Sequence, residues 1–215
     1  MVLLNPNQRT KLDDTDDAQF YESPRFVTHV DDGFIQQLTD LYQERLKPNT
    51  RVFDMMSSWV SHLPDMEFAH VEGHGLNGEE LARNQRLNHY FVQNLNKNPK
   101  LPLEDQSFDA VLNTVSVQYV QYPEAIFSEI HRILKPGGIA IISFSNRMFY
   151  QKAIAAWREG SEASRVALVK GYFEAVPGFS KPEAIARQSQ APAMLQWLGM
   201  SGGDPFYAIA ACRND

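Results

Sequence analysis

Residues 101–146 read LPLEDQSFDAVLNTVSVQYVQYPEAIFSEIHRILKPGGIAIISFSN. Phe108 to Thr114 is a mostly apolar run of strand length, and Ile139 to Phe144 is a second, apolar but for Ser143. Between them, Tyr122 to Ile133 places Ala125, Ile126, Ile130 and Ile133 on one helical face. Lys135-Pro136-Gly137-Gly138 predicts a sharp turn after that helix, because proline fixes one backbone angle and glycine permits a positive one. Strand, helix and strand on short connections predict a parallel pair with a right-handed crossover. Apolar runs without alternation predict a sheet covered on both faces.

The same pattern extends outward. Arg51 to Met56, Phe68 to Val71 and Tyr90 to Gln93 read as three further strands, with Glu79 to Asn88 as a helix among them. Pro99 and Pro102 break the loop from Asn94 to Gln106. Upstream, Phe34, Leu38, Leu41, Tyr42 and Leu46 recur at three- and four-residue steps, a helix closed by Lys47-Pro48-Asn49. Asp13, Asp14, Asp16 and Asp17 predict a solvated, loosely ordered arm. Near the C-terminus, Phe206 to Cys212 follows Gly202-Gly203-Asp204-Pro205 and reads as another strand. The chain thus divides into an acidic arm (1–19), a lid and helix (20–50) and an α/β domain (51–215).

A length of 215 residues suits one large domain, and a net charge of -6 argues against non-specific binding to nucleic acid or an anionic membrane. The single cysteine, Cys212, points to a reducing compartment and reads as a small core residue. The opening MVLLNPNQRTKLDDTDD lacks the basic flank and long apolar region of a signal peptide, and no apolar stretch is long enough to span a bilayer. A cytoplasmic location is the expectation. The pattern does not specify an oligomeric state.

Leu101-Pro102, Ser107-Phe108-Asp109, Glu129-Ile130, the run from Arg132 to Gly138 and the strand after it resemble the class I S-adenosylmethionine-dependent methyltransferases. The likeness is to the small-molecule group that includes ubiquinone and menaquinone methylases. Asp204-Pro205-Phe206-Tyr207 is similar to the last strand of that family, and the resemblance runs from about Arg51 to Arg213. It implies a Rossmann-like, mostly parallel seven-stranded sheet with an antiparallel last strand. It also implies S-adenosylmethionine as cofactor and a small-molecule acceptor.

The resemblance further implies where the cofactor sits. Asp54 matches the family acid that ends the first strand, but Met56, Ser58 and Val60 stand where glycines are usual. Ser57 and Ser58 are small donors that suit a carboxylate, or else a helix cap. The ribose-binding acid of the family falls on Gly75, leaving Asn77 or Glu72 to compensate. Asn94 takes the adenine-binding position after the third strand. With Leu76, Leu95 and Asn113 these residues form the implied cofactor set. Losing the ribose acid weakens affinity by roughly one to two powers of ten.

An acceptor in this family enters beneath a lid, which implies Tyr21, Arg25, His29 and Tyr119 as substrate contacts. Ser116, Gln118, Phe149, Tyr150 and Trp157 are further candidates. Methyl transfer needs alignment more than acid–base work. His29 is a candidate base or a structural histidine, and no catalytic residue is assigned. No metal set stands out: His70 and His74 do not share a face on a strand-turn reading. The glycine-free loop keeps a second expectation open, a catalytically inactive relative that serves as a binding or regulatory module.

Overall fold

A computed structural model describes residues 3–187 and 203–214. The helices are α1 (Asp17–Phe20), α2 (Asp32–Arg45), α3 (Gly78–Arg83), α4 (Pro123–Ile133), α5 (Ala155–Arg158) and α6 (Glu162–Glu174). The strands are β1 (Arg51–Asp54), β2 (His70–Gly75), β3 (His89–Val92), β4 (Phe108–Thr114), β5 (Leu134–Phe144), β6 (Glu183–Arg187) and β7 (Phe206–Cys212). They form one sheet in the order β3-β2-β1-β4-β5-β7-β6. β7 runs antiparallel to both neighbours, and the other pairs are parallel. Strand order therefore reverses between β1 and β4, the place where open sheets bind ligands.

The apolar runs divide by alternate residues. Val52, Ala110, Leu112, Ile141, Ala208 and Ala210 face α2, which buries Phe34, Leu38, Leu41 and Tyr42. Phe53, Val111, Ala140, Ile142, Ile209 and Ala211 face the other layer, with α4, α6 and Trp157. The α2 start is fixed by Asp31, whose carboxylate accepts from the Phe34 amide at 2.8 Å. On α4 the buried stripe is Ile126, Phe127, Ile130 and Ile133, with Pro123 in the first turn.

Four details differ from the sequence pattern. β2 is displaced toward the C-terminus and takes in Glu72 to Gly75, because the polar groups there find partners. Glu72 accepts from His70 at 2.8 Å and from His89 at 2.6 Å. α3 stops at Arg83, and Asn84 beyond it donates to Ser58 O at 3.0 Å and Ser61 Oγ at 2.8 Å. Lys135 to Gly138 lies inside β5, with Gly137 at φ 75° and its amide donating to Arg213 O at 2.9 Å. Finally, the acidic segment is not simply solvated. Leu4 and Asp17 are buried. Asp17 pairs with Lys11 at 2.7 Å, Asp13 with Lys152 at 3.1 Å, and Asp16 with Lys97.

The motif residues act as staples. Glu129 accepts from the Leu101 amide at 2.7 Å and from Arg132 Nη2 at 2.6 Å, while Arg132 Nη1 donates to Leu103 O at 2.7 Å. Asp109 accepts from the Arg51 amide at 2.8 Å and is paired with Lys135 at 2.8 Å, which pins β1 and β5 to β4. Replacing Glu129 by Ala leaves the Leu101 amide without its acceptor and removes one of the two carboxylates on Arg132. A loss of about 1–3 kcal/mol is expected, seen in a melting curve as a drop of roughly 2–10 °C. An unchanged midpoint would refute the staple.

Candidate functional site

Beyond Asp54 the chain must turn sharply without glycine. Met56 does so at φ 57°, in the left-handed region that side chains avoid at about 1–2 kcal/mol each. Val115, just past β4, sits at φ 48°, an outlier for a β-branched residue. Both are held by the surrounding bonds. The Met56 amide donates to His74 Nδ1 at 3.1 Å and the Ser57 amide to His74 O at 2.6 Å. Ser116 Oγ donates to Met56 O at 3.1 Å, and the Val115 amide to Ser143 O at 2.8 Å. Strain kept this way concentrates at functional sites.

The turn explains residue 75. A Cβ on Gly75 would lie 2.6 Å from Ser57 O, so a side chain at the end of β2 would collide with backbone. His74 is the buttress: its Nε2 donates to Gln93 O at 2.9 Å, and burial pushes its pKa down to about 4. The neutral ring thereby joins the turn after β1 to the end of β3.

Above these strand ends lies a cavity of about 400 Å³. Asp54, Ser57, Ser58, Gly75, Leu76, Asn94 and Leu95 line it from below, and Tyr21, Arg25, His29 and Tyr119 from the roof side. Asp54 is buried and its pKa is pushed up to about 6 by that burial, against the pull of the Ser57 and Ser61 hydroxyls. Ser57 Oγ donates to Asp54 Oδ2 at 2.6 Å. Asn94 Nδ2 donates to Asp16 Oδ1 at 2.9 Å.

Two residues expected at the cofactor site lie off the cavity wall. Asn77 caps α3, accepting from the Glu80 amide at 2.9 Å, and its Nδ2 donates to Tyr21 O at 2.8 Å and Glu22 O at 3.1 Å. Asn113 is fully buried and donates to Met55 O at 3.2 Å. Glu72, the other expected compensation, is occupied by His70 and His89. A further wall carboxylate is Glu80, for which no site role was expected from the sequence; Asp17 also reaches the wall. Glu80 is 6% exposed and accepts from Ser58 Oγ at 2.6 Å and the Arg25 amide at 2.7 Å. Its only sequence signal is the Asn77-x-x-Glu80 spacing of a helix cap.

Of the further acceptor candidates, Ser116 and Phe149 reach the wall. Tyr150 is exposed, and Trp157 and Gln118 are buried in the protein. His62, Arg147, Met148 and Lys152 line the cavity without having been read from sequence. Among the described residues there is no cluster of three or more His, Cys, Asp or Glu suited to a metal ion. None of the described helices is long and apolar enough to cross a membrane.

Two of the buried titratable groups, His74 and Asp54, oppose each other in acid. The His74 value is lowered from 6.5 to about 4, so the unfolded chain binds the proton first and stability falls as pH drops through that window. The Asp54 value is raised from 3.8 to about 6, so the folded chain takes up the proton and stability is gained over much the same range. In Asp54→Asn the melting temperature is expected to fall more steeply between pH 6.5 and 4 than in the wild type, and in His74→Gln less steeply. Parallel curves for all three proteins would contradict these environments.

Residues 57–142 match the methyltransferase domain family. The malonyl-[acyl-carrier protein] O-methyltransferase of a Marinomonas species is 33% identical over 58 residues, 27% of this chain and 22% of that protein. The biotin biosynthesis bifunctional protein BioHC of Teredinibacter turnerae is 36% identical over 66 residues, 31% of this chain and 12% of that protein. The chain therefore spans well under two thirds of these relatives. Phosphoethanolamine N-methyltransferase 2 of Haemonchus contortus, solved in complex with S-adenosyl-L-methionine, superposes with a TM-score of 0.56 at 17% identity. That alignment covers 84% of this chain and 52% of the other. With this strand order, its antiparallel β7 and the matched segment, the chain has the Rossmann-like fold of class I S-adenosylmethionine-dependent methyltransferases.

Proposed function

We propose that the chain transfers the methyl group of S-adenosylmethionine to a small-molecule acceptor. The observation that carries this reading is the cavity at the carboxyl ends of β1, β2 and β4, where strand order reverses and the buried Asp54 carboxylate faces the opening. Its volume of about 400 Å³ falls within the range of small-molecule sites. The methyltransferase-domain match and the cofactor-bound fold relative support the same reading.

The bound cofactor would supply an electrophilic methyl group on a sulfonium sulfur. Of the carboxylates on the wall, Asp54 and Glu80 would hold its cationic and hydroxyl-bearing parts, while Asp17 is paired with Lys11. Ser57 and Ser58 keep those carboxylates in place by donating to them. Gly75 leaves a wall of backbone, and Leu76, Asn94 and Leu95 complete the floor. Tyr21, Arg25, His29 and Tyr119 orient the acceptor from the roof, where alignment is the main demand. Burial lowers the His29 pKa, so a neutral imidazole is available to take a proton from a hydroxyl acceptor. Action on a small molecule in a cytoplasmic, reducing setting, without nucleic acid or membrane partners, stays with this reading.

A noncatalytic binding or regulatory module is the second reading. It is favoured by Met56 and Val60, bulky residues on the cavity wall, with Met56 strained. Calorimetry with S-adenosylmethionine and S-adenosylhomocysteine separates the cases. Binding of both is expected, weakened about tenfold or more in Asp54→Ala. No heat and no thermal shift at millimolar ligand defeats the enzyme reading, and binding without turnover on any acceptor favours the module.

Binding also has a proton signature. With Asp54 held at about 6, a cation seated beside it lowers that value and expels the proton. Titrations at pH 6 in buffers of different ionisation enthalpy are expected to show release of up to about half a proton, vanishing by pH 8. Proton uptake, or release that survives in Asp54→Asn, would contradict this placement.

A further inference from the structure

The roof of the cavity holds three cations, Arg25, Arg147 and Lys152. Two are matched by the chain itself. Lys152 is paired with Asp13 at 3.1 Å and Asp17 at 3.7 Å, and Arg147 with Asp204 at 2.7 Å. Arg25 has no such partner among the described residues. Its Nη2 donates to Phe20 O at 2.9 Å, and its Nη1 is buried with no hydrogen-bond partner. The nearby Glu80 carboxylate spends one oxygen on the Arg25 backbone amide and the other on Ser58.

The guanidinium is enclosed by rings. It lies 4.6 Å from the Phe20 centroid, 5.4 Å from Phe149 and 5.6 Å from Tyr21. His29 stands 5.3 Å from Phe149, and Tyr119 6.2 Å. Aromatic faces stabilise a cation but give its N–H groups no acceptor, and a buried donor without one is costly. Burial, first of all, keeps Tyr21 a protonated phenol and so a second donor on the same wall.

We propose that Arg25 and Tyr21 form a carboxylate-binding site for the methyl acceptor, with the apolar body of that molecule against Phe149 and Tyr119. This rests on the methyl-transfer reading. The acceptor is then an organic acid, and its carboxylate completes the charge balance of the roof. A planar guanidinium suits a carboxylate through paired, charge-assisted bonds that a neutral group cannot form.

The test uses the full chain saturated with S-adenosylhomocysteine, and phenylacetate against its neutral counterpart phenylacetamide as probes in calorimetry. The wild type is expected to bind the acid at least about tenfold more tightly than the amide. Arg25→Met is expected to erase that preference while S-adenosylhomocysteine affinity changes less than about twofold. Arg25→Lys keeps the charge and is expected to retain part of the preference, which serves if the Met variant does not fold. Equal binding of acid and amide by the wild type, or an undiminished preference in Arg25→Met, overturns the proposal. So does a tenfold loss of S-adenosylhomocysteine with no loss of 5′-methylthioadenosine, which would assign Arg25 to the cofactor's own carboxylate. If the wild type binds neither cofactor form yet holds phenylacetate through Arg25, the site stands and the methyl-transfer reading falls.

Discussion

The imidazole of His74 is the constraint on which the site depends. It accepts from the Met56 amide on one side and donates to Gln93 O on the other, so the turn after β1 is held against β2 and β3 by one buried neutral ring. That contact, with the Ser57 amide on His74 O, draws Ser57 O into the space a side chain at position 75 would need. The missing glycines and the missing acid are therefore one structural event. A turn of ordinary residues leans on the strand end, and the strand end carries glycine to receive it. The strain at Met56 is carried by a rigid frame, as is usual where a precise local geometry is retained.

This arrangement moves the electrostatics of the crevice from the strand ends to the surrounding helices. Asp54 stays at the first strand end, but the other wall carboxylates come from helices, Glu80 from α3 and Asp17 from α1. Glu80 is anchored to both the turn, at Ser58, and the roof, at the Arg25 amide. The floor and roof of the cavity are thus tied through one carboxylate. Most other charges around the opening cancel within the chain, often between residues far apart in sequence, as Lys152 does with Asp13. An ion that is not cancelled inside such a low-dielectric wall therefore stands out chemically.

The residues that carry the resemblance to methyltransferases do a different job. Glu129 and Arg132 clamp the loop at Leu101 and Leu103, and Asp109 joins β4 to the Arg51 amide and Lys135. These bonds set strand register and loop path. They carry fold information and lie away from the cavity, which is why a close match there says little about the chemistry at the other end of the sheet.

The sequence by itself determined the scaffold. Phe108 to Thr114 and Phe206 to Cys212 are strands with the bounds their apolar runs indicate, and the α2 stripe of Phe34, Leu38, Leu41 and Tyr42 is the buried one. Apolar periodicity is local, and burial enforces it, so these elements are legible one segment at a time. β6 was not, because its exposed EAIAR at the sheet edge carries little apolar pattern, and β2 was legible only at its start, because the polar Glu72 within it is matched by His70 and His89. At the site, Asp54, Ser57 and Ser58 were implied by the family resemblance, and the structure brings them to one wall. Only the tertiary structure decided that Asn77 serves as a cap, that Asn113 lies beneath the cavity, and that Glu80, Arg147 and Lys152 face it. The reason is physical: a hydrogen bond or ion pair is made with whatever the fold brings within about 3 Å, and that neighbour leaves no mark on the local sequence.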